Sequence, residues 1–225
     1  MTAETYALLE GCMLSCMKDR AHDREHIYRV LNNALQIARG ESGVDYDVLI
    51  AACLLHDIGR PEQFADPSVD HAQAGAKKAF DFLTGHGFDE SFADQVRSCI
   101  RTHRFRKSMP PQSLEAKILF DADKLDVTGA IGIARTLFYK GAVDDPLYTR
   151  LPSGEISDGT QSEEPSFFHE YKFKLEKLYD KFYTSTGAAL ARTRQPAAQA
   201  FYESLLKEVR CGSGELLHQF LEDTQ

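Results

Sequence analysis

The stretch Tyr46-Asp-Val-Leu-Ile-Ala-Ala-Cys-Leu-Leu-His56-Asp57-Ile-Gly59 decides how this chain folds. Val48 to Leu55 is an unbroken apolar run. A segment that is apolar nearly all round predicts a central, buried helix, and Gly59 and Pro61 predict its stop. The helix closes on a histidine and a carboxylate. A carboxylate there is doubly unfavourable, because it is partly desolvated and faces the negative end of the helix dipole. Something positive must compensate. A metal bridging His56 and Asp57 does so, and so does a salt bridge to Arg60; these residues alone leave the two level.

Outward from this helix, the rest also reads as helical, with no alternating β-branched pattern bounded by turns. The expected helices are Thr5–Lys18, then one from an Asp23 cap to Ala38, then His71–Gly85, Ser91–His103 and Ser113–Lys140. The stretch Gly141–Pro165 is rich in Gly, Pro, Ser and Asp, and a loop that long in a compact domain is usually a lid, a binding loop or disordered. Two further helices, Ser166–Thr184 and Thr186–Glu208, follow. The expected fold is all-α, with a helical core over residues 1–140, a long loop or lid over 141–165, and C-terminal helices over 166–225 packing on that core.

The 225 residues, 43% hydrophobic and 27% charged, are those of an ordinary globular protein. The net charge of -8 argues against a nucleic-acid backbone as partner, although a metal and a few basic residues can reverse the sign locally for a small anion. The cysteines Cys12, Cys16, Cys53, Cys99 and Cys211 are odd in number and form no paired framework. Cys53 reads as a small core residue. Cys12 and Cys16 are spaced to touch one metal, but no second pair completes a zinc site. Met1–Glu10 lacks the pattern of a signal peptide, and no apolar stretch reaches spanning length. The expected compartment is a reducing cytoplasm.

Two His-Asp pairs occur, His22-Asp23 and His56-Asp57, where chance supplies about 0.6, so the dipeptide alone carries little information. His22-Asp23 sits at a polar helix start and reads as structural. Around Asp121, Asp123 and Asp126, the residues Ile118, Leu119, Ala122, Leu125, Gly129 and Ile133 define one apolar face at 100° per residue. Asp126 points into that face, Asp123 lies on its edge, and Asp121 falls well outside it. Asp123 is therefore the better ligand and Asp126 an orienting or substrate group. Lys124 and Arg135 fall on the polar side, within reach of a phosphate at the rim. His26 lies in the first turn of its helix with Arg29 one turn on. A lone histidine there, as at His71 and His103, is more often packed or exposed than ligating. His103 is followed by Arg104, Arg106 and Lys107, which fit a helix C-terminus as well as they fit a phosphate. His86, His169 and His218 carry no expected role.

Taken together, the segments His26-Ile-Tyr-Arg29-Val, Ala51-Ala-Cys-Leu-Leu-His56-Asp57-Ile, Asp70-His71-Ala, Ile100-Arg-Thr-His103, Glu115-Ala-Lys-Ile-Leu-Phe-Asp-Ala-Asp-Lys-Leu-Asp126 and Gly129-Ala-Ile-Gly-Ile-Ala-Arg135 resemble the HD superfamily of metal-dependent phosphohydrolases. Glu176-Lys-Leu, Thr186-Gly and Leu190-Ala-Arg192-Thr-Arg194 are similar to the C-terminal helices of a stand-alone bacterial subgroup. The resemblance implies an HD-type helical bundle with a C-terminal helical extension. It implies His26, His56, Asp57 and Asp123 as metal ligands. His71 and His103 lie where some HD proteins carry extra histidines for a second ion. Many HD enzymes carry an acidic general base shortly after the His-Asp pair; the nearest here is Glu62, beyond Gly59-Arg60-Pro61.

The expected function is hydrolysis of a phosphate ester or phosphoanhydride, a nucleotide above all, with nucleoside triphosphate pyrophosphohydrolysis as one form. Asp57, Lys124 and Glu62 are the expected catalytic residues, and Arg29, His71, His103, Asp126 and Arg135 the expected substrate contacts. The cofactor is a divalent transition metal, Mn, Fe, Co, Ni or Zn, as one ion or two. The partner is a small phosphorylated substrate, not a nucleic-acid backbone or a membrane, and a homodimer is allowed. Competing readings are an oxygen-activating enzyme with two irons and a metal-binding or ligand-sensing module without catalysis.

Overall fold

The computed structural model describes residues 1–17, 24–104, 109–210 and 215–222, with backbone alone for 215–218. His22, the expected cap Asp23, Arg106 and Lys107 lie outside the described residues. The fold is all-α, and the described residues form no β-strand beyond one isolated bridge, Arg150 with Ile156. No described helix is long and apolar enough to cross a membrane.

The chain forms two compact units. The first comprises Met1–Asp126 and the returning segment Phe182–Ala188. Its helices are α1 (Ala3–Cys16), α2 (Arg24–Ala38), α3 (Tyr46–Leu55), α4 (Arg60–Ala65), α5 (His71–Gly85), α6 (Glu90–Thr102) and α7 (Leu114–Leu125). Short polar side chains start most of them, as N-cap chemistry requires. Asp45 Oδ1 accepts from the amides of Asp47 and Val48 at the head of α3. Asp70 starts α5, Asp89 starts α6 and Ser113 starts α7 in the same way.

The apolar α3 is central, touching α1, α2, α6 and α7. Val48, Leu49 and every residue from Ala51 to Leu55 are buried. α2 packs its stripe of Ile27, Val30, Leu31, Ala34, Ile37 and Ala38 inward. Tyr6 of α1 and Tyr28 of α2 both donate to Glu10 Oε1. After α3 the chain does not simply stop. Pro61, harmless in a first turn where its missing N–H would be unpaired anyway, starts α4 at once.

The turn between α3 and α4 crosses α5 closely. A Cβ on Gly59 would stand 2.3 Å from the His71 carbonyl oxygen and 2.4 Å from the Gly75 nitrogen. This crossing sets Asp57 beside the first turn of α5.

The expected helix Ser113–Lys140 is two helices, α7 ending at Leu125 and α8 (Gly129–Ala142). Asp126 caps α7, and Gly129 takes φ +61, a value no helix passes through and one that glycine adopts at little cost. The 100° projection also set Asp121 well outside the packed face, and there the structure differs. Asp121 is 0% exposed, because the segment Phe182–Ala188 covers that side of α7. It accepts the amides of Tyr183 and Thr184, at 2.9 and 2.7 Å, and the Thr184 hydroxyl at 2.7 Å.

The second unit comprises Val127–Lys181 and Ala189–Gln225, so the division falls at Asp126 and not near residue 140. α8, α9 (Phe167–Phe173), a 3-10 turn at Leu175–Lys177 and most of α10 (Ser185–Arg210) surround Phe167, Phe168, Tyr171, Leu178 and Tyr202. The short α11 (Glu215–Glu222) follows. The expected helix Ser166–Thr184 ends early, at Phe173. Residues 141–165 are tied in rather than left as a free flap. Ile156 sits in this core, its carbonyl accepts from Arg210, and the Asp158 carbonyl accepts from Tyr202 Oη at 2.6 Å.

Gly59→Ala tests the close crossing. Overpacking of this kind costs about 1–3 kcal/mol. The expected result is a lower urea midpoint at an unchanged slope, with metal content falling alongside; an unchanged midpoint would rule the crossing out as a constraint.

Candidate metal centre

Six side chains from α2, α5, the ends of α3 and α6, and α7 converge in the first unit. His26, His56 and Asp123 form one donor group, and Asp57, His71 and His103 a second. In each, the ligand-type atoms lie within 4.8 Å of one another. Asp57 joins the two. Its Oδ2 is 3.7 Å from both His26 Nε2 and His56 Nε2, while its Oδ1 is 3.4 Å from His71 Nε2 and 3.7 Å from His103 Nε2. The rings of His26, His56, His103 and His71 follow one another at centroid spacings of 5.4, 5.1 and 5.5 Å.

Each histidine is fixed through its other ring nitrogen. Nδ1–H of His56 donates to the Cys53 carbonyl at 2.8 Å, and that of His103 to the Ile100 carbonyl at 2.6 Å. Both are contacts that the last turn of a helix makes locally. His71 Nδ1 donates to Gln63 Oε1 and His26 Nδ1 to Asp126 Oδ2, each at 2.7 Å. Holding Nδ1 sets tautomer and ring orientation and leaves Nε2 as the ligating atom.

The electrostatics say the same. Burial holds His56 in its neutral form, down to about 4, over the opposing pull of Asp57. Burial and the nearby charge of Arg60 lower His71 to about 3, again against Asp57. Burial also opposes the charged form of His26, but hydrogen bonds to Asp123 and Asp126 and the charge of Asp57 outweigh it and push this ring up to about 9. Burial favours protonated Asp57 and Asp123, yet His56 and Arg60 hold Asp57, and His26 holds Asp123, well below the usual carboxylate range. Two ionised carboxylates therefore face neutral imidazoles and one proton on His26.

A divalent cation fits this set. His56 Nε2 and His71 Nε2 are buried and accept or donate no hydrogen bond, and such orphaned groups cost about 1–3 kcal/mol each. Neutral imidazoles and ionised carboxylates are the forms that bind metal. Asp57 itself is 5% exposed. The Asp123 side chain, 31% exposed, is the ligand nearest solvent.

The remaining expected site residues fall as follows. Asp126 is 1% exposed, with its oxygens on His26 and on Arg29 Nε and Nη2 at 2.7 and 3.1 Å; it orients His26. Arg29 is thereby committed to Asp126. Lys124, placed on a polar face by the helical projection, is buried, with Nζ 4.4 Å from the Phe120 ring centroid and its charge acting on Asp121. It belongs to neither donor group. Glu62 accepts from Lys78 Nζ at 2.9 Å and likewise belongs to neither. Arg135 lies on α8 of the second unit. The salt bridge to Arg60 is present, Nε to Asp57 Oδ1 at 3.0 Å, alongside the histidine groups rather than in their place. Arg104 Nη1 stands 3.7 Å from Asp70.

Sequence reasoning missed Gln63, eight residues before the histidine it holds, and no signal in the chain pointed to it.

The HD domain family model matches residues 24–128, a region that contains all six donors. The Bacillus subtilis protein YpgQ, itself uncharacterized, is 31% identical over 193 residues, 84% of each chain. A crystal structure of YpgQ in complex with ADP superposes with a TM-score of 0.70, 26% identity, and coverage of 91% of this chain and 95% of that one. A predicted HD superfamily hydrolase from an uncultured Thermotogales bacterium is 33% identical, with a TM-score of 0.62 over 89% of this chain and 90% of that one. With the donor set, the matched region and relatives spanning most of its length in agreement, this chain belongs to the HD domain family.

Proposed function

We propose that the protein is a metal-dependent phosphohydrolase acting on a nucleotide, with a nucleoside triphosphate cut to release phosphate or pyrophosphate as the first substrate class. The observation that carries this reading is the Asp57 carboxylate, whose two oxygens face two separate groups of histidine Nε2 atoms. That arrangement suits two ions sharing one carboxylate, with His26, His56 and Asp123 on one side and His71 and His103 on the other. A divalent ion held there supplies Lewis acidity toward a phosphoryl oxygen and acidifies water. Imidazole with carboxylate suits Mn, Fe, Co, Ni or Zn. The ADP in the YpgQ crystal structure supports a nucleotide as ligand.

The chain's own residues prepare the site. Asp126 and Gln63 lock His26 and His71, so no ring reorients during reaction. A polyphosphate needs cations, and in this acidic chain two arginines flank the second donor group. Arg60 is 37% exposed and Arg104 41%, and the charge of each acts on His71. Both guanidiniums retain N–H groups to offer an anion, a role the expected Lys124 is less placed to fill over Phe120.

Metal content tests the ligand assignment. Asp57→Ala should abolish bound metal and activity while circular dichroism shows the helices kept; full occupancy by elemental analysis would reject it. His103→Ala should lower a native ratio of two ions per chain to one, whereas a metal-replete native ratio of one removes the second ion. Asp126→Asn should weaken metal affinity about ten- to a hundredfold by freeing the His26 ring.

Substrate class is tested by a phosphate-release screen over nucleotides, sugar phosphates and cyclic nucleotides with Mn or Co supplied. Nucleoside triphosphates should be cut, and carboxylic esters and peptides should not. Arg104→Ala should reduce kcat/KM about ten- to a hundredfold through KM at unchanged metal content. No turnover above the Asp57→Ala background would sink the hydrolase reading, and oxygen consumption with iron would then separate the two-iron alternative.

A further inference from the structure

Helix α4 turns one face to the metal centre. Arg60 reaches Asp57, Nε to Oδ1 at 3.0 Å, and Gln63 holds His71 at 2.7 Å. Glu62 is taken by Lys78 instead. Phe64 lies about 40° round the helix axis from Arg60 and one turn, about 6 Å, further along it. It therefore shares the face that carries Arg60, whereas Glu62 falls about 160° from both. The Phe64 side chain is 63% exposed. Single exposed apolar side chains are common on protein surfaces, but this one stands apart within the first unit. Met1, Leu8, Leu14, Tyr46 and Tyr183, the other exposed large hydrophobics among the described residues of that unit, range from 37% to 44%. An aromatic face is thus held in water one helical turn from a guanidinium that touches the shared carboxylate.

We infer that Phe64 is the platform on which the nucleobase of the substrate stacks. The inference rests on the nucleotide reading above and adds to it the residue that tells a nucleotide from a bare polyphosphate. A nucleotide carries phosphate at one end and a flat aromatic base at the other, and α4 offers a cation and an aromatic ring in that order along one face. Phosphate lies at the Asp57 end, where Arg60 and Arg104 flank the second donor group. The base lies one turn on, over Phe64, where it removes the phenyl ring from water and meets it face to face or in an offset stack. Stacking uses the π-face that every base has, so this contact selects for a base without selecting among bases. The arginines and the metal ligands hold phosphate whether or not a base is attached.

The test uses the full-length, metal-loaded protein and reads binding rather than turnover. ADP and inorganic pyrophosphate, equal in phosphate count, are titrated by calorimetry with metal in excess. Phe64→Ala should weaken ADP binding about five- to a hundredfold and leave pyrophosphate binding unchanged, and Phe64→Tyr should restore ADP binding. GDP and CDP should lose affinity in Phe64→Ala as ADP does. The chain contains no tryptophan, so Phe64→Trp introduces a single indole. Its emission should be quenched by ADP over the concentration range that calorimetry gives, and pyrophosphate should leave it unaltered. Native protein and Phe64→Ala binding ADP equally well overturns the inference while the nucleotide reading stands. An equal loss for ADP and pyrophosphate also overturns it, since that marks a structural role. Native protein that binds pyrophosphate but no nucleotide removes the nucleotide reading and the platform together.

Discussion

The charge on the buried Asp57 carboxylate is the constraint around which the first unit is arranged. It sits at the end of an apolar helix, on the wrong side of that helix's dipole, where water cannot solvate it. Burial alone would protonate it. His56, Arg60, His103 and His26 instead hold it ionised, and four of the five elements that meet there do so to deliver a group toward its two oxygens. The close passage of Gly59 over His71 and Gly75 follows from the same need, since the α3–α4 turn must lie against α5 for the His71 ring to reach Oδ1.

Around that carboxylate, the histidines are made ligands by what they do with the nitrogen that faces away. Carbonyls three residues upstream take Nδ1 of His56 and His103, a contact built into a helix end. His71 and His26 need partners brought from a distance, Gln63 from α4 and Asp126 from α7. Asp126 in turn is steadied by Arg29. Such locking means that ligand orientation is settled during folding and costs nothing when an ion arrives.

Lys78 divides its ammonium between the Ile58 carbonyl and Glu62, and so ties α5 to the segment that follows Asp57.

The helical class and the candidate donors were legible in the chain itself. The unbroken apolar run Val48–Leu55 admits only a buried helix, a residue-local property, and the order His26, His56-Asp57, His71, His103, Asp123 named the residues that meet. Only the tertiary structure decided the rest. A helical projection treats Ser113–Lys140 as one straight rod, so it missed the break at Gly129; it also sees no neighbours, so it misplaced Asp121, whose burial comes from Tyr183 and Thr184 more than sixty residues later. It set Lys124 on a polar face, where the structure buries it over Phe120. The pairing of Asp57 with two histidine groups, the tie from Gln63 to His71 and the reach of Lys78 to Glu62 are contacts between helices. Their spacing in the chain carries no trace of them, because helix packing, not period, fixes which faces meet.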